Sequence, residues 1–170
     1  MTINFYCNFP VIFYSRPIVS PPADWTEIET GPGSISLPDG QEYGFRIHNI
    51  DDQILRHLVA ELTVITPLTY INLSENRKIT DAGLVYLKVF PDLVYLNLSS
   101  CGLKNDGIVH LQEFSHLTTL DLSYCNRLTG PALKLLQHLP KLTALNLQGC
   151  IKLTNGDVAR FKKKGLVINK

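Results

Sequence analysis

Leu68-Thr-Tyr-Ile71-Asn-Leu73, Leu93-Val-Tyr-Leu96-Asn-Leu98, Leu117-Thr-Thr-Leu120-Asp-Leu122 and Leu142-Thr-Ala-Leu145-Asn-Leu147 decide the fold of this chain. Their first leucines stand 25, 24 and 25 residues apart, and each block is followed at the third position by Asn76, Cys101, Cys125 or Cys150. A unit this short cannot bury its own apolar face, so identical units stack on one another and share a continuous core. From Ile79 to Leu93, Leu103 to Leu117 and Leu128 to Leu142 the distance is always 14 residues. The variation lies in the turn after the Asn/Cys position, where Gly102 stands alone but Arg77-Lys78, Asn126-Arg127 and Ile151-Lys152 are pairs. Insertions at a surface turn leave such a stack undisturbed.

Working outward, the back halves of the units read as short helices. Leu84/Leu87, Ile108/Leu111, Leu133/Leu136 and Val158/Phe161 give an i, i+3 apolar stripe, and Phe90, Phe114 and Leu139 form a further buried column. Thr80-Asp81, Asn105-Asp106 and Thr154-Asn155 supply side-chain oxygens for helix starts, and Pro131 suits a first helical turn. Ile50 to Leu58 aligns with Ile79 to Leu87, which makes the stretch from about Tyr43 to Pro67 a degenerate first unit. The last unit is short: Leu166-Val-Ile168 reads as a closing strand, although gapless alignment puts Val167 at the first leucine position.

Before the repeats the composition changes. Residues 1–22 are rich in aromatic and β-branched side chains and are broken by Pro10, Pro17, Pro21 and Pro22. They are expected to be an N-terminal strap, extended or disordered and dispensable for folding. A secretory signal would need a basic start and an uninterrupted apolar run, whereas Asn8, Pro10 and Arg16 interrupt this one. No stretch reaches the about 18 apolar residues of a membrane span. Residues 23–42 read as a β cap, with Ser34 to Leu37, a Pro38-Asp39-Gly40 turn and Tyr43 to Ile47 as a hairpin over the first coil. Residues 43–170 then hold the degenerate first unit, about four full units and the truncated last one.

The chain has 170 residues, 45% of them hydrophobic, which is enough for one domain with a sizeable core. A net charge of +1 gives no long-range field, so bulk electrostatics points to neither nucleic acid nor an anionic membrane. Cys101, Cys125 and Cys150 recur at the repeat period rather than at metal-knuckle or disulfide spacings. They are expected to be small buried side chains standing in for Asn, reduced, in a cytoplasmic setting.

The combination of Lys78-Ile-Thr-Asp-Ala-Gly-Leu-Val-Tyr-Leu87 with Leu93 to Cys101 resembles the cysteine-containing class of leucine-rich repeat, over about residues 43 to 170. The resemblance implies an α/β, right-handed leucine-rich-repeat solenoid with a parallel concave sheet and convex helices. Family members include substrate-recognition subunits of F-box ubiquitin ligases and many bacterial proteins. Residues 1–44 carry no recognisable F-box helical bundle.

By the period-2 rule the leucines point inward and the residues between them point out of the sheet. The candidate partner-binding residues are therefore Tyr70, Asn72, Tyr95, Asn97, Thr119, Asp121, Tyr124 and Asn146. Tyrosines supply contact area at low entropic cost. The amide column also has a structural reading, as a side-chain ladder between coils. The five histidines lack metal-ligand spacing, and the serines recur as repeat positions with no strained nucleophile turn. No catalytic residue, metal site or cofactor is expected. The sequence points to a monomeric, non-enzymatic module that binds a protein partner on its concave sheet, without nucleic acid or membrane. The alternatives are the recognition part of a ubiquitin-ligase or bacterial effector system, or a structural fragment of a longer repeat protein.

Overall fold

The computed structural model describes residues 2–18, 24–161 and 163–170. Strands β1 (Thr2–Cys7), β2 (Ile12–Pro17), β3 (Thr26–Thr30), β4 (Gly33–Pro38) and β5 (Gln41–Arg46) lead into α1 (Asp52–Leu62). The repeats follow as β6 (Leu68–Asn72), α2 (Asp81–Leu84) running into a 3₁₀ helix at Val85–Val89, β7 (Tyr95–Asn97), a 3₁₀ helix at Asn105–Glu113 and β8 (Thr119–Asp121). Then come α3 (Gly130–Leu136), β9 (Ala144–Asn146), α4 (Asn155–Arg160) and β10 (Val167–Asn169).

Eight strands form one sheet in the order β10-β9-β8-β7-β6-β5-β2-β3. From β5 to β10 every neighbour is parallel, as coils wound in one sense require. Each coil sends three apolar strand residues into the layer beneath the sheet, where the helical segments meet them in one continuous core. Leu93, Leu96, Leu98, Leu117, Leu120 and Leu122 are completely buried there. Burial of such a side chain is worth about 1.5–3 kcal/mol, so the leucine columns dominate the stability of each coil.

The helical layer shows what the stripe means. In α1, Leu55, Leu58, Val59 and Leu62 are buried at i, i+3, i+4 and i+7, the 3.6-residue period, and an 11-residue α-helix results. In the next two units the buried positions fall three apart, at Leu84, Leu87, Phe90 and at Ile108, Leu111, Phe114. Three residues per turn is the 3₁₀ period, and these two units adopt it, whereas α3, which buries Ala132 as well as Leu133 and Leu136 ahead of Leu139, stays α-helical.

The degenerate first unit takes its place in the stack. Phe45 registers with Ile71 and Arg46 with Asn72, after an irregularity between Tyr43 and Gly44 that absorbs one residue. At the other end Ile168 pairs with Leu145 and Asn169 with Asn146, which puts Gly165 rather than Val167 level with Leu142. The last unit is shortened ahead of its strand, so gapless alignment misplaces the register by two residues.

The N-terminal region is organised differently from the expected strap and hairpin. β4 does not pair with β5. It pairs antiparallel with β1, because β5 already has β2 on one edge and β6 on the other. β2 lies between β5 and β3 and extends the main sheet, burying Val11, Phe13 and Ser15. The β1–β4 pair covers the helical layer, with Asn8 donating from its backbone and side-chain amides to Glu61 of α1 at 3.0 and 2.6 Å. Segments 1–22 and 23–42 are thus interleaved in one two-layer cap wherever they are described.

Candidate functional site

The open face of the sheet is the one its helices do not cover. Along it the residues between the leucines line up in register: Tyr70, Tyr95, Thr119 and Ala144 in one row, and Asn72, Asn97, Asp121 and Asn146 in the next. Gly44 and Val167 continue the first row, and Arg46 and Asn169 the second.

The second row has a job within the backbone. Asn72, Asn97, Asp121 and Asn146 each accept, through Oδ1, the N–H two residues on, at 2.8 to 3.1 Å. This is the Asx turn, which carries the chain out of the strand. The following residues Glu75, Ser100 and Tyr124 adopt φ of 66°, 58° and 58°. Among the described residues the side-chain ladder is limited to one bond, from Asn146 Nδ2 to Asp121 Oδ2 at 2.9 Å. Asn72 Nδ2 turns instead to the Tyr70 hydroxyl at 3.3 Å.

Below these turns lies the Asn/Cys column. Asn76 uses both ends of its amide: Nδ2 donates to the carbonyls of Ile47 and Leu73 at 2.8 and 3.0 Å, and Oδ1 accepts from Ile50 N at 2.9 Å. The thiols repeat one of these contacts. Cys101, Cys125 and Cys150 donate to the carbonyls of Leu73, Leu98 and Leu122, each in the preceding coil, at 3.2, 3.2 and 3.0 Å. Burial pushes the Cys101 thiol up to about 12 and raises Cys125 and Cys150 as well. A thiol held in its protonated form is a weak nucleophile and a poor metal ligand.

The first row becomes a built surface at its N-terminal end. The Tyr70 and Tyr95 rings stack at 4.7 Å and 16°. Trp25 leans on Tyr70 at 5.1 Å, and Tyr14 meets the same ring edge-on at 5.8 Å. The Arg16 guanidinium lies 4.5 Å over the Trp25 ring while pairing with Glu42 at 2.6 Å. Gly44 makes the cluster possible, since a Cβ there would stand 2.6 Å from Tyr70 Cβ and Cδ1. Burial raises the Tyr14 and Tyr95 phenols above 10.0, so both stay neutral at ordinary pH.

Tyr70 and Tyr95 are therefore in direct contact, with Thr119 next in their row. Tyr124 stands apart from them: its positive φ takes it out of the strand, and its ring, 52% exposed, rests over Gly149 in a groove beside Arg77 and Arg127. Tyr14, Arg16, Trp25 and Arg46 were missed by the sequence reading. The signal for Tyr14 was present, because Phe13 and Tyr14 alternate faces as strand residues do. A cavity of about 520 Å³ between α3 and α4 holds none of the candidate residues. No helix among the described residues is long and apolar enough to cross a membrane.

A parallel sheet with one strand and one helical segment per coil, repeating every 24 or 25 residues, defines a repeat protein that presents a surface. Residues 64–88, 91–111 and 115–136 match the sequence model of the leucine-rich repeat, so this stretch of the chain is built of leucine-rich repeats. Among solved structures it is similar to a chain in the crystal structure of the yeast Rad7 and Elc1 complex, with a TM-score of 0.61 and 19% identity. That likeness covers 72% of this chain and 31% of the other, and at such identity it speaks for the fold. A search of curated proteins returned no match.

Proposed function

We propose that this protein is a non-enzymatic protein-interaction module that binds a partner protein on the open, concave face of its sheet. The observation that carries the reading is the shelf formed by Tyr14, Trp25, Tyr70 and Tyr95, four half-buried rings in contact on the uncovered face. Pre-packed aromatics supply binding area with little ordering cost, and interface hot spots are enriched in Tyr, Trp and Arg. Thr119, Asp121, Asn97, Asn72 and Asn146 form the polar margin, and Tyr124 lies at its far rim. The coils wind right-handed, as parallel strand–crossover–strand connections do. The chain acts as a monomer of the cysteine-containing class, and its buried thiols suit a cytoplasmic location.

The test is affinity capture with quantification by mass spectrometry, comparing the unaltered protein with Tyr95→Ala and with Val109→Ala on the helical side. Loss of a hot-spot aromatic costs about 2 kcal/mol or more, roughly a thirty-fold weakening. The partner is expected to be lost from the Tyr95→Ala protein and retained by Val109→Ala, with both still folded. Retention by Tyr95→Ala and loss from Val109→Ala would move the site to the helical layer.

A further inference from the structure

The turns between strand and helical layer carry cations: Lys78, Arg127 and Lys152 recur at one repeat position, and Arg77 and Lys104 stand beside it in their own coils. All five are exposed, and none forms an ion pair among the described residues. Stacking turns this periodicity into a row. With neighbouring strands about 4.8 Å apart, the three steps from Lys78 to Lys152 span roughly 14 Å.

Three grooves that share lining residues lie along the row. One groove is lined by Glu75, Arg77 and Lys78, a second by Arg77, Tyr124 and Arg127, and a third by Lys104, Asp106, Arg127 and Lys152. Arg77 joins the first groove to the second, and Arg127 joins the second to the third. Five cations therefore face two carboxylates, Glu75 and Asp106, along the trough these grooves make. The nearby carboxylates Asp52 and Asp81 are turned onto the backbone N–H groups of Thr80 and Lys104 at 2.8 Å. Tyr124, which lines the second groove, is 52% exposed, and Ile151 of the next turn, beside Lys152, is 78% exposed.

We infer that this turn edge is a second docking surface, separate from the aromatic shelf, for an acidic segment of a partner protein that carries an apolar residue among its carboxylates. Charge complementarity selects the occupant, and Tyr124 with Ile151 supplies the apolar contact. A nucleic acid strand fits less well. Its phosphates are evenly charged and would meet Glu75 and Asp106, a single exposed ring gives no stacking series, and a net charge of +1 supplies no field to hold a polyanion. A peptide can place carboxylates only where cations stand.

The experiment is fluorescence anisotropy with a labelled synthetic peptide of Asp and Glu around a central Phe, using the whole chain at about 50 mM and at about 300 mM salt. The variants are Arg77→Glu/Arg127→Glu in the trough and Lys134→Glu/Lys141→Glu outside it, with the same change in net charge. Binding is expected at low salt, weakening with salt, falling at least about tenfold in the trough variant and staying within about twofold in the control. The melting temperatures of both variants establish that they are folded. Should the trough variant fail to fold, Arg127→Gln takes its place, with a loss of about fivefold expected. Equal binding by trough and control variants, or no binding at low salt, overturns the inference. So does a single-stranded oligonucleotide that outcompetes the peptide at equal charge.

Discussion

The position shared by Asn76, Cys101, Cys125 and Cys150 shows how far one side chain can reach. Each bonds to a carbonyl of the coil before it, so each stitches two units together. Cys101→Ala should remove the inter-coil bond to the Leu73 carbonyl, which keeps Asn76 Nδ2 as its other partner, and cost about 0.5–1.5 kcal/mol in urea unfolding, whereas exposed changes nearby shift stability by about 0.5 kcal/mol or less. The same thiol sets a pH dependence. Its pKa rises from 9.0 to about 12 in the folded protein, so above pH 9 the unfolded chain gives up a proton that the folded chain keeps. Stability that is complete below pH 9 is therefore lost progressively as the pH climbs towards 12, and urea unfolding at pH 8, 9, 10 and 11 should show a shallower decline for Cys101→Ala. The repeat spacing of the cysteines was enough to read them as buried stand-ins for Asn. Their acceptors lie in another coil and were not legible without the register. The amide row was harder still: a residue whose oxygen turns its own backbone has the same spacing in sequence as one that faces a ligand.

Between elements, a second set of side chains links the helical layer. Asp52 accepts from the backbone N–H and hydroxyl of Thr80 at 2.8 and 2.6 Å, Asp81 from Lys104 N, and Asn105 from Thr129 N at 3.0 Å. Each carboxylate or amide starts the helical segment of the following coil. The next residue in this series is Gly130, and the last coil replaces it with its own capping box, in which Asp157 accepts from Thr154 N at 2.9 Å. The bridge needs space. A Cβ on Gly83 would stand 2.3 Å from Asp52 Oδ1. Alanine is ordinarily better than glycine in a helix by about 1 kcal/mol, so destabilisation by Gly83→Ala would expose the collision. Asp52→Ala should also destabilise, by about 1 kcal/mol or more, through the lost cap. The double variant should be more stable than the sum of the two predicts, by about 0.5 kcal/mol or more, because the carboxylate that the added methyl group would strike is gone. The caps at Thr80 and Thr154 were readable from sequence, but the reach of Asp52, Asp81 and Asn105 into the next coil was not.

At the scale of the molecule, the N-terminal region is where reading and structure part most. Val11, Phe13 and Ser15 are buried while Ile12, Tyr14 and Arg16 are half-buried, and the alternation marks a strand. What the sequence withheld was its neighbours, since a strand does not name its partners: β2 pairs with β3, the next strand along, and with β5, while β4 pairs with β1. A chain lacking residues 1–23 would lose β2 from between β3 and β5 and uncover Phe45, so it should melt at least about 10 °C lower or fail to stay soluble, by circular dichroism and size-exclusion chromatography. A melt within about 2 °C of the whole chain would show the region to be dispensable. The parallel ladder from β5 to β10 has one more consequence, a mechanical one. Its hydrogen bonds run along the stacking axis, so tension applied between the two ends loads the inter-coil contacts in series and not side by side. Such a molecule peels at low force, one coil after another, releasing roughly 80–90 Å of slack for each 24 or 25 residues freed. It would behave under load as a spring that gives way in steps.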